Sequence, residues 1–421
     1  MLKHATPRTT FAAAVALTLI LLLPGQGRAD GLTAERAVEA LGAWLADNPD
    51  SVEGLQQQPF ATTPLGRKQA DLAAERLWEH RAARIRRQRA KEMRARVLVD
   101  GDLQMPFDVR IYGEKPETGR SLYLSLHGGG GAPKQVNDQQ WRNQQRLYAP
   151  EEGVYVAPRA PTDTWDLWHQ PHIDRMFDRL IENLVVFASV DPNRVYLMGY
   201  SAGGDGVYQL APRMADRWAG AAMMAGHPND ALPLGLRNTA FTLHVGAHDA
   251  AYRRNEVAAE WQKKLADLHE ADPQGYVHWV HIHEDKGHWM DREDAAALPW
   301  MARHRRNPLP DKVVWKQDNV THGRFYWLAV DDSQRRAGAL VTAAVDGGQI
   351  ELLATGVDQV RVRLHDALVD LDRPVRITSG GRVLAQGTAA RTIGTLSKTL
   401  EERGDRHLMF PAEMTVSLPG R

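Results

Sequence analysis

Three side chains of the types used in nucleophilic catalysis occur in the sequence in the order serine, aspartate, histidine. The serine, Ser201, is the centre of Gly199-Tyr-Ser-Ala-Gly203 and follows the apolar run Val195–Met198. This G-x-S-x-G pattern is typical of a sharp strand-to-helix turn that exposes the serine hydroxyl. Glycines two positions either side of the serine let the helix approach the strand closely. We therefore predict that Ser201 is a nucleophile.

A general base and an orienting acid follow later predicted strands. Asp249 comes after the strand-like run Phe241–Val245, and His288 follows the last such run, Tyr276–His283. We predict that His288 accepts the Ser201 proton and that Asp249 holds the histidine in the required tautomer. Asp249 could instead cap the helix that follows it, and Asp230 is the second choice for the acid.

A run of glycines follows another predicted strand, Leu122–Leu126, in the segment His127-Gly-Gly-Gly-Gly131. Backbone amides in such a run can approach a developing oxyanion without obstruction by side chains. The sequence predicts an oxyanion hole made by the amides of Gly128, Gly129, Gly130 and Ala202, the last being the residue after the nucleophile. The alternative is a flexible loop without a catalytic role.

Aromatic and histidine residues lie near the ends of the predicted strands, where ligands bind in open α/β sheets. As substrate-binding residues we predict Trp165, Trp168, His169, His172, Tyr200 and His227. The alternative for the residues between 164 and 172 is aromatic packing beneath a loop. Asp205, on the helix after Ser201, is expected to make a local hydrogen bond.

The histidines near the last strand raise the question of a metal site. His281, His283 and His288 are close together with Glu284 and Asp285, but their spacing matches no known ligand pattern. Since His288 is already assigned to Ser201, we predict neither a metal nor another cofactor.

Composition restricts the class of protein. The chain has 421 residues, no cysteine and a formal net charge of zero. The absence of cysteine excludes disulfides, thiol catalysis and Cys-based zinc sites, and the zero charge argues against nucleic acid as a partner. The basic run near Arg81–Lys91 could bind an anionic partner, but a solvated helix face with Glu75 and Glu79 as acidic partners is the preferred interpretation.

The N-terminus has the pattern of a signal peptide, assigned to residues 1–29. Lys3 and Arg8 precede the apolar run Phe11–Leu23, and Gly27 and Ala29 occupy plausible cleavage positions. We expect an exported protein, periplasmic or secreted, without stable membrane insertion after cleavage. An uncleaved anchor is the alternative, although a membrane span needs about 20 apolar residues.

The remaining pattern divides into three parts. Residues 30–94 favour helices, and residues 95–305 contain a β-hairpin followed by alternating strands and helices. Such alternation predicts a mostly parallel sheet covered on both faces, an α/β fold. Residues 310–421 contain short β-type runs separated by turns and predict a β-rich, sandwich-like accessory domain.

Taken together, Leu126-His-Gly-Gly-Gly130, Gly199–Gly203, Asp249 and Gly287-His288 make residues 95–305 resemble the α/β-hydrolase superfamily. Within it the chain is similar to secreted esterases of the polyhydroxybutyrate depolymerase, feruloyl esterase and prolyl-oligopeptidase-related groups. The resemblance implies a serine hydrolase that cleaves carboxylic esters through an acyl-enzyme, acting on a small-molecule or polymer-linked ester. A serine peptidase and a non-catalytic glycan-binding or partner-binding protein are the alternatives. The acyl group, the role of the C-terminal domain and the oligomeric state stay open.

Overall fold

The computed structural model describes residues 32–418, and the predicted signal segment 1–29 lies outside the described residues. Within this range, no helix is both long and apolar enough to cross a membrane. The α-helices are α1 (Ala34–Asp47), α2 (Arg67–Ala95), α3 (Lys134–Gln144), α4 (Pro171–Ala188), α5 (Ala202–Arg213), α6 (Arg254–Ala271), α7 (Ala297–Met301) and α8 (Ile393–Arg403).

An eight-stranded sheet forms the centre of the α/β part of the chain. Its strands are β1 (Val97–Asp100), β2 (Leu103–Tyr112), β3 (Arg120–Leu126), β4 (Gly153–Pro158), β5 (Val190–Tyr200), β6 (Gly220–Met224), β7 (Ala240–Gly246) and β8 (His278–His283). They are ordered β1-β2-β4-β3-β5-β6-β7-β8, and only the pairs β1–β2 and β2–β4 are antiparallel. The predicted hairpin and mostly parallel sheet of an α/β-hydrolase fold are confirmed.

Both faces of the sheet are covered at β3 to β7, which explains why these strands are buried along nearly their whole length. On β5, Val195 and Leu197 face a core shared with α4, α5 and α6. Tyr196 and Met198 face the core on the other side of the sheet. This core includes residues of α7, and Trp141 of α3 packs against it. Because β5 is the fifth of the eight strands in the sheet order, its carboxyl end, which Ser201 follows, lies near the middle of the sheet.

The β-rich region consists of two sheets around one apolar core, as a sandwich-like domain requires. One sheet is ordered β10-β11-β14-β17 and the other β16-β15-β13-β12-β9. The strands are β9 (Lys312–Lys316), β10 (Arg324–Phe325), β11 (Leu328–Ala329), β12 (Leu340–Asp346), β13 (Gln349–Thr355), β14 (Gln359–Leu364), β15 (Val375–Ser379), β16 (Arg382–Gly387) and β17 (Ala412–Ser417). All pairs are antiparallel except β13–β15.

The N-terminal helices pack against the C-terminal helix α8, a contact that the sequence did not indicate. Leu41 of α1, Leu77 of α2 and Leu400 of α8 belong to one apolar cluster. Several basic side chains of α2 are paired, but with distant elements rather than with Glu75 or Glu79. Arg81 lies 2.5 Å from Glu182 of α4 and 2.6 Å from Glu401 of α8. The arginines of this helix thus contribute contacts between parts of the chain.

Two helix predictions differ from the structure. A helix was expected over about Arg292–Arg303, but the α-helix there is only Ala297–Met301, preceded by a 3₁₀ turn at Glu293–Ala296. Pro299 explains this, because proline fits the first turn of a helix and disrupts its interior. Helix α3 was not predicted, since only Asn137 and Gln144 of its residues are buried and it has no apolar period.

Candidate active site

Ser201 lies in the sharp turn between β5 and α5. Its backbone has φ 58° and ψ −124°, a conformation that costs a non-glycine residue energy and is typical of functional sites. A Cβ added at Gly199 would lie 2.2 Å from the carbonyl oxygen of Gly203, and one at Gly203 would lie 2.1 Å from that of Leu126. The two glycines of the pattern are therefore needed for backbone packing.

The structure brings Ser201, His288 and Asp249 together. The Nε2 atom of His288 lies 3.0 Å from the Ser201 Oγ, and its Nδ1 atom lies 2.8 Å from the Asp249 Oδ2. Since a carboxylate accepts from Nδ1–H, Nε2 is left free to accept the serine proton. Asp230, the alternative acid, instead accepts hydrogen bonds from Gln209 and Asn319.

Tyr200 holds the loop that carries His288. Its hydroxyl donates to the carbonyl oxygen of His288 over 2.6 Å and accepts from the Met290 amide over 3.1 Å. Burial raises the pKa of Tyr200, so its hydroxyl remains a donor. This residue, predicted to bind substrate, lines the cleft and also positions the base.

The glycine loop lies directly beside the nucleophile. A Cβ on Gly128 would come within 3.1 Å of the Ser201 Cβ, so glycine permits this approach. The amide of Gly130, however, donates to the Asn137 Oδ1 over 2.8 Å, and that of Gly131 donates to the Asp163 carbonyl oxygen. The prediction that Gly130 supplies an oxyanion donor is therefore wrong for this conformation. The amides of Gly128, Gly129 and Ala202 remain the candidates.

His127 and Trp168 support the glycine loop from below. His127 Nδ1 donates to the Gly128 carbonyl oxygen over 2.6 Å, and its Nε2 accepts from the Ala160 amide over 3.1 Å. Burial, reinforced by Arg159, lowers the pKa of His127 to about 4, which keeps this tautomer neutral. The Trp168 indole donates to the His127 carbonyl oxygen.

Two lobes of one cleft meet at Ser201. The Trp165 lobe, about 390 Å³, is lined by residues that include Trp165, Asp205, His227, Tyr252, Arg253 and Arg254. The Trp289 lobe, about 450 Å³, is lined by residues that include Gln140, Asn143, Leu147, Tyr200, His288 and Trp289. Asp205 accepts a hydrogen bond from the His227 amide, the local role expected for it.

Three of the predicted substrate-binding residues lie outside both lobes. Trp168 is completely buried, and His172, in the first turn of α4, is 7 % exposed. His169 packs edge-on against Trp165, and burial, followed by the charge of Arg213, lowers its pKa to about 4. Trp168 packs against His127 and Phe177, and His169 against Trp165, as the packing alternative expects. Trp165, Tyr200 and His227 do line the cleft.

Several residues that line the two lobes were not predicted from the sequence. Trp289 is next to the predicted base, so its position was a usable signal. Gln140 and Asn143 belong to the unpredicted α3, and Tyr252 and Arg254 lie in and after the turn that follows Asp249. No pattern in the sequence marked these four.

The histidines of β8 point away from the nucleophile. His283 Nε2 lies 3.2 Å from Nδ1 of the buried His244, and His281 is exposed. Within residues 32–418, no three or more His, Cys, Asp or Glu side chains are grouped as a metal ion would require.

The β-rich region docks away from the cleft. His322 and Arg324 contact Asp174 and Asp178 of α4, each over 2.8 Å. All residues that line the two lobes belong to the α/β part of the chain. The described accessory region therefore leaves the cleft open.

No protein-family model matches the chain. Over 114 residues it is 35 % identical to a protein described as "Putative esterase NocK" from Nocardia uniformis subsp. tsuyamanensis, a match covering 26 % of this chain and 33 % of that protein. The chain thus spans about a third of the length of that relative.

Several similar solved structures are described as esterases. A thermostable esterase is 18 % identical with a TM-score of 0.37, covering 50 % of this chain and 62 % of that one. A carboxylesterase from Bacillus cereus is 17 % identical with a TM-score of 0.35, covering 47 % and 94 %. A carboxylesterase from Mesorhizobium loti is 17 % identical with a TM-score of 0.34, covering 49 % and 99 %. With TM-scores of 0.34 to 0.37 these likenesses carry no conclusion, and the activity has to be argued from the site of this chain.

Proposed function

We propose that this protein is an exported serine hydrolase that cleaves carboxylic esters through an acyl-enzyme intermediate. The observation that carries the proposal is the chain of contacts from Ser201 Oγ through His288 to Asp249, over 3.0 and 2.8 Å. A serine hydroxyl becomes an effective nucleophile when a positioned base accepts its proton. The match of 114 residues to a protein named as an esterase supports the ester as the substrate class.

In the first half-reaction, Ser201 Oγ attacks the ester carbonyl carbon while its proton passes to His288 Nε2. The amides of Gly128, Gly129 and Ala202 are the candidate donors to the oxyanion, and one such donor typically contributes about 3 kcal/mol. The carbon–oxygen bond to the alcohol then breaks, and the alcohol leaves with the proton from His288.

In the second half-reaction, a water molecule takes the place of the alcohol. His288 accepts a proton from the water, whose oxygen attacks the acyl carbon of the Ser201 ester. The tetrahedral intermediate collapses to release the carboxylic acid, and His288 returns the proton to Ser201. Asp249 stabilises the imidazolium in both halves without itself becoming protonated.

The open cleft on both sides of Ser201 suits an ester with substantial groups on the acyl and alcohol sides. The lobes measure about 390 and 450 Å³, so a short-chain aryl ester would leave much of the cleft empty. We propose a small-molecule or polymer-linked ester as the substrate.

The catalytic proposal is tested with the purified protein and Ser201→Ala on short-chain p-nitrophenyl esters and aminoacyl-p-nitroanilides. We expect Ser201-dependent ester turnover and labelling of Ser201 by a fluorophosphonate probe. Ser333→Ala, in an exposed 3₁₀ turn, is the matched control and should behave like the wild type. Absence of both substrate turnover and probe labelling would refute the proposal of a serine hydrolase. Turnover of the anilides without turnover of the esters would favour a peptidase.

Export is proposed from the signal-like pattern of residues 3–29. Expression of the full chain in a Gram-negative host should give a mature protein in the periplasm or medium whose first residue is Asp30. Mass spectrometry of the N-terminal peptide measures this. A cytoplasmic protein that keeps Phe11–Leu23 would contradict it.

A further inference from the structure

We propose that Arg254 is a positioning residue that holds the Asp249 carboxylate from the side opposite His288 and thereby supports the contact between Asp249 and His288. This inference rests on the proposed function of the Ser201 site. It concerns a residue that lies on the opposite side of Asp249 from His288 and also lines the Trp165 lobe.

The contact between Arg254 and Asp249 uses the carboxylate oxygen that His288 does not use. Arg254 Nη1 lies 3.6 Å from Asp249 Oδ1, whereas His288 Nδ1 lies 2.8 Å from Oδ2. The Asp249 side chain is 1 % exposed and that of Arg254 is 10 % exposed. A buried carboxylate needs nearby opposite charge, and here the guanidinium supplies it from the side away from His288.

The backbone after Asp249 is bent so that Arg254 can reach it. Tyr252 and Arg253 both have left-handed conformations, at φ 55° and 56°, which non-glycine residues rarely adopt. The backbone amide of Asn255 donates to the Asp249 carbonyl oxygen, and the side-chain amide of Asn255 donates to the Ala247 carbonyl oxygen. These bonds close a turn around Asp249 and return α6 towards it. Strain of this kind persists where the surrounding contacts require it, often at functional sites.

Arg254 is also enclosed from the solvent side. Its guanidinium lies 4.8 Å from the centroid of the Tyr252 ring, a side chain that is 77 % exposed and lines the same lobe. A charge shielded in this way acts on its neighbours more strongly than one surrounded by water.

Other charges around the triad are further away or already paired. Within residues 32–418, Arg254 and His288 are the groups able to carry positive charge that lie within 4 Å of the Asp249 carboxylate. Lys286 and Asp291, in the loop of His288, pair with each other over 2.9 Å. The neighbouring elements carry further titratable groups, which are Tyr200 of β5, Asp205 of α5, His227 after β6, His248 beside Asp249, Tyr252, Arg253 with Glu256, His281 and His283 of β8, and Glu284, Asp285 and Glu293 around the His288 loop.

Removal of the Arg254 charge should therefore change the pH dependence of the proposed reaction. The positive charge of Arg254 opposes a second positive charge on His288, and it also offsets the negative charge of Asp249. We therefore expect the acid limb of the kcat/KM profile to move to higher pH when the charge is lost.

The test compares the wild type with Arg254→Gln, Arg254→Lys and Arg253→Gln by two measurements. The first is the acid limb of the kcat/KM profile on a p-nitrophenyl ester. The second is the titration of the His288 ring resonances by NMR, assigned with His288→Asn, which needs no substrate. Arg253→Gln is the matched control, because it removes the same charge from an adjacent exposed side chain that is paired with Glu256.

We expect both midpoints to rise in the order wild type, Arg254→Lys, Arg254→Gln, because the positive charge beside Asp249 is first moved away and then removed. The lysine variant is intermediate because its shorter side chain holds the charge further from Asp249, and it carries the test alone if Arg254→Gln does not fold. Unchanged midpoints in the Arg254 variants, or an equal shift in Arg253→Gln, overturn the proposal. If no ester is turned over but the NMR midpoint shifts, the proposed function fails while the role of Arg254 towards His288 stands.

Discussion

Asn137 accepts a hydrogen bond from the Gly130 amide over 2.8 Å, and its side-chain amide donates to the Ala132 carbonyl oxygen over 2.9 Å. One completely buried side chain of α3 thus holds two points of the glycine loop beside Ser201. Because the Gly130 amide is bonded to Asn137, it is not available as an oxyanion donor, but the same bond holds the loop in place. Preorganised donors are effective because they need no rearrangement during the reaction.

Asn137→Ala should therefore lower kcat more than it raises KM. Loss of both hydrogen bonds leaves two backbone groups without their partner and loosens the loop, so we expect kcat to fall about tenfold and the free energy of unfolding by about 1–3 kcal/mol. Steady-state kinetics and urea unfolding measure the two effects. Gln139→Ala, at an exposed position of the same helix, should change neither. A wild-type kcat in Asn137→Ala would show that the loop does not depend on this contact.

Tyr200→Phe should impair the positioning of His288. The variant removes the hydroxyl that bonds the His288 carbonyl oxygen and the Met290 amide, and leaves the ring in place. We expect a loss of about 1–2 kcal/mol of unfolding free energy and a severalfold fall in kcat, since the base is held less precisely. Tyr112→Phe on β2, which lines neither lobe, is the control. An unchanged kcat with lowered stability would confine Tyr200 to a structural role.

Stability should fall in acid because buried histidines stay neutral in the folded protein. Burial, with contributions from His283 and His281, lowers the pKa of His244 from 6.5 to about 3. Between these pH values the unfolded chain binds a proton that the folded chain does not bind. The stabilisation is complete above pH 6.5 and decreases as the pH falls towards 3. At pH 5 the loss is about 2 kcal/mol for this group.

His244→Gln should remove this part of the pH dependence. The difference in unfolding free energy between pH 8 and pH 5, measured by urea denaturation, is expected to be about 2 kcal/mol smaller than in the wild type. His248→Gln, at an exposed position after β7, should leave the difference unchanged. If both variants retain the wild-type difference, acid sensitivity arises elsewhere, for example at His127, whose pKa burial also lowers, to about 4.

Asp405→Asn should weaken the attachment of the C-terminal region to the α/β part of the chain. Asp405 Oδ2 lies 2.7 Å from Arg306 and 3.6 Å from Arg217, and all three side chains are at most 2 % exposed. Removing one partner leaves buried positive charge uncompensated, which typically costs about 3–5 kcal/mol. Thermal unfolding followed by calorimetry measures the loss. Asp370→Asn, at an exposed pair with Arg373, is the control, and equal melting temperatures for the two variants would contradict the prediction.

Local sequence patterns were sufficient to predict the site residues whose roles depend on backbone sterics or on their position after a strand. Gly199 and Gly203 are needed because a Cβ at either would meet backbone atoms, and this requirement is visible as the G-x-S-x-G spacing. Asp249 and His288 follow β7 and β8, whose carboxyl ends lie at the same edge of a parallel sheet as that of β5. The predicted nucleophile, acid and base are therefore adjacent in the structure.

Helix α3 and the Trp168 segment were not predictable in the same way. Asn137 and Gln144 are buried because they hydrogen-bond to the glycine loop and to Ser125, so the helix has no apolar stripe. Trp168 and Trp165 are three residues apart and equally aromatic, but one is completely buried and the other is 64 % exposed. The difference arises in the tertiary structure, where the Trp168 indole donates to the His127 carbonyl oxygen.

Local sequence patterns predict the fold class, the order of the hairpin and parallel strands, and the identity of the three side chains that meet at the end of β5. These follow from short-range sterics and from apolar patterns that repeat along the chain. Only the three-dimensional structure shows which amides of the glycine loop lack an internal hydrogen bond and which aromatic residues face the cleft. It also shows that Arg254 contacts Asp249 on the side away from His288. Those outcomes depend on contacts between residues far apart in the sequence, whose partners a local pattern does not record.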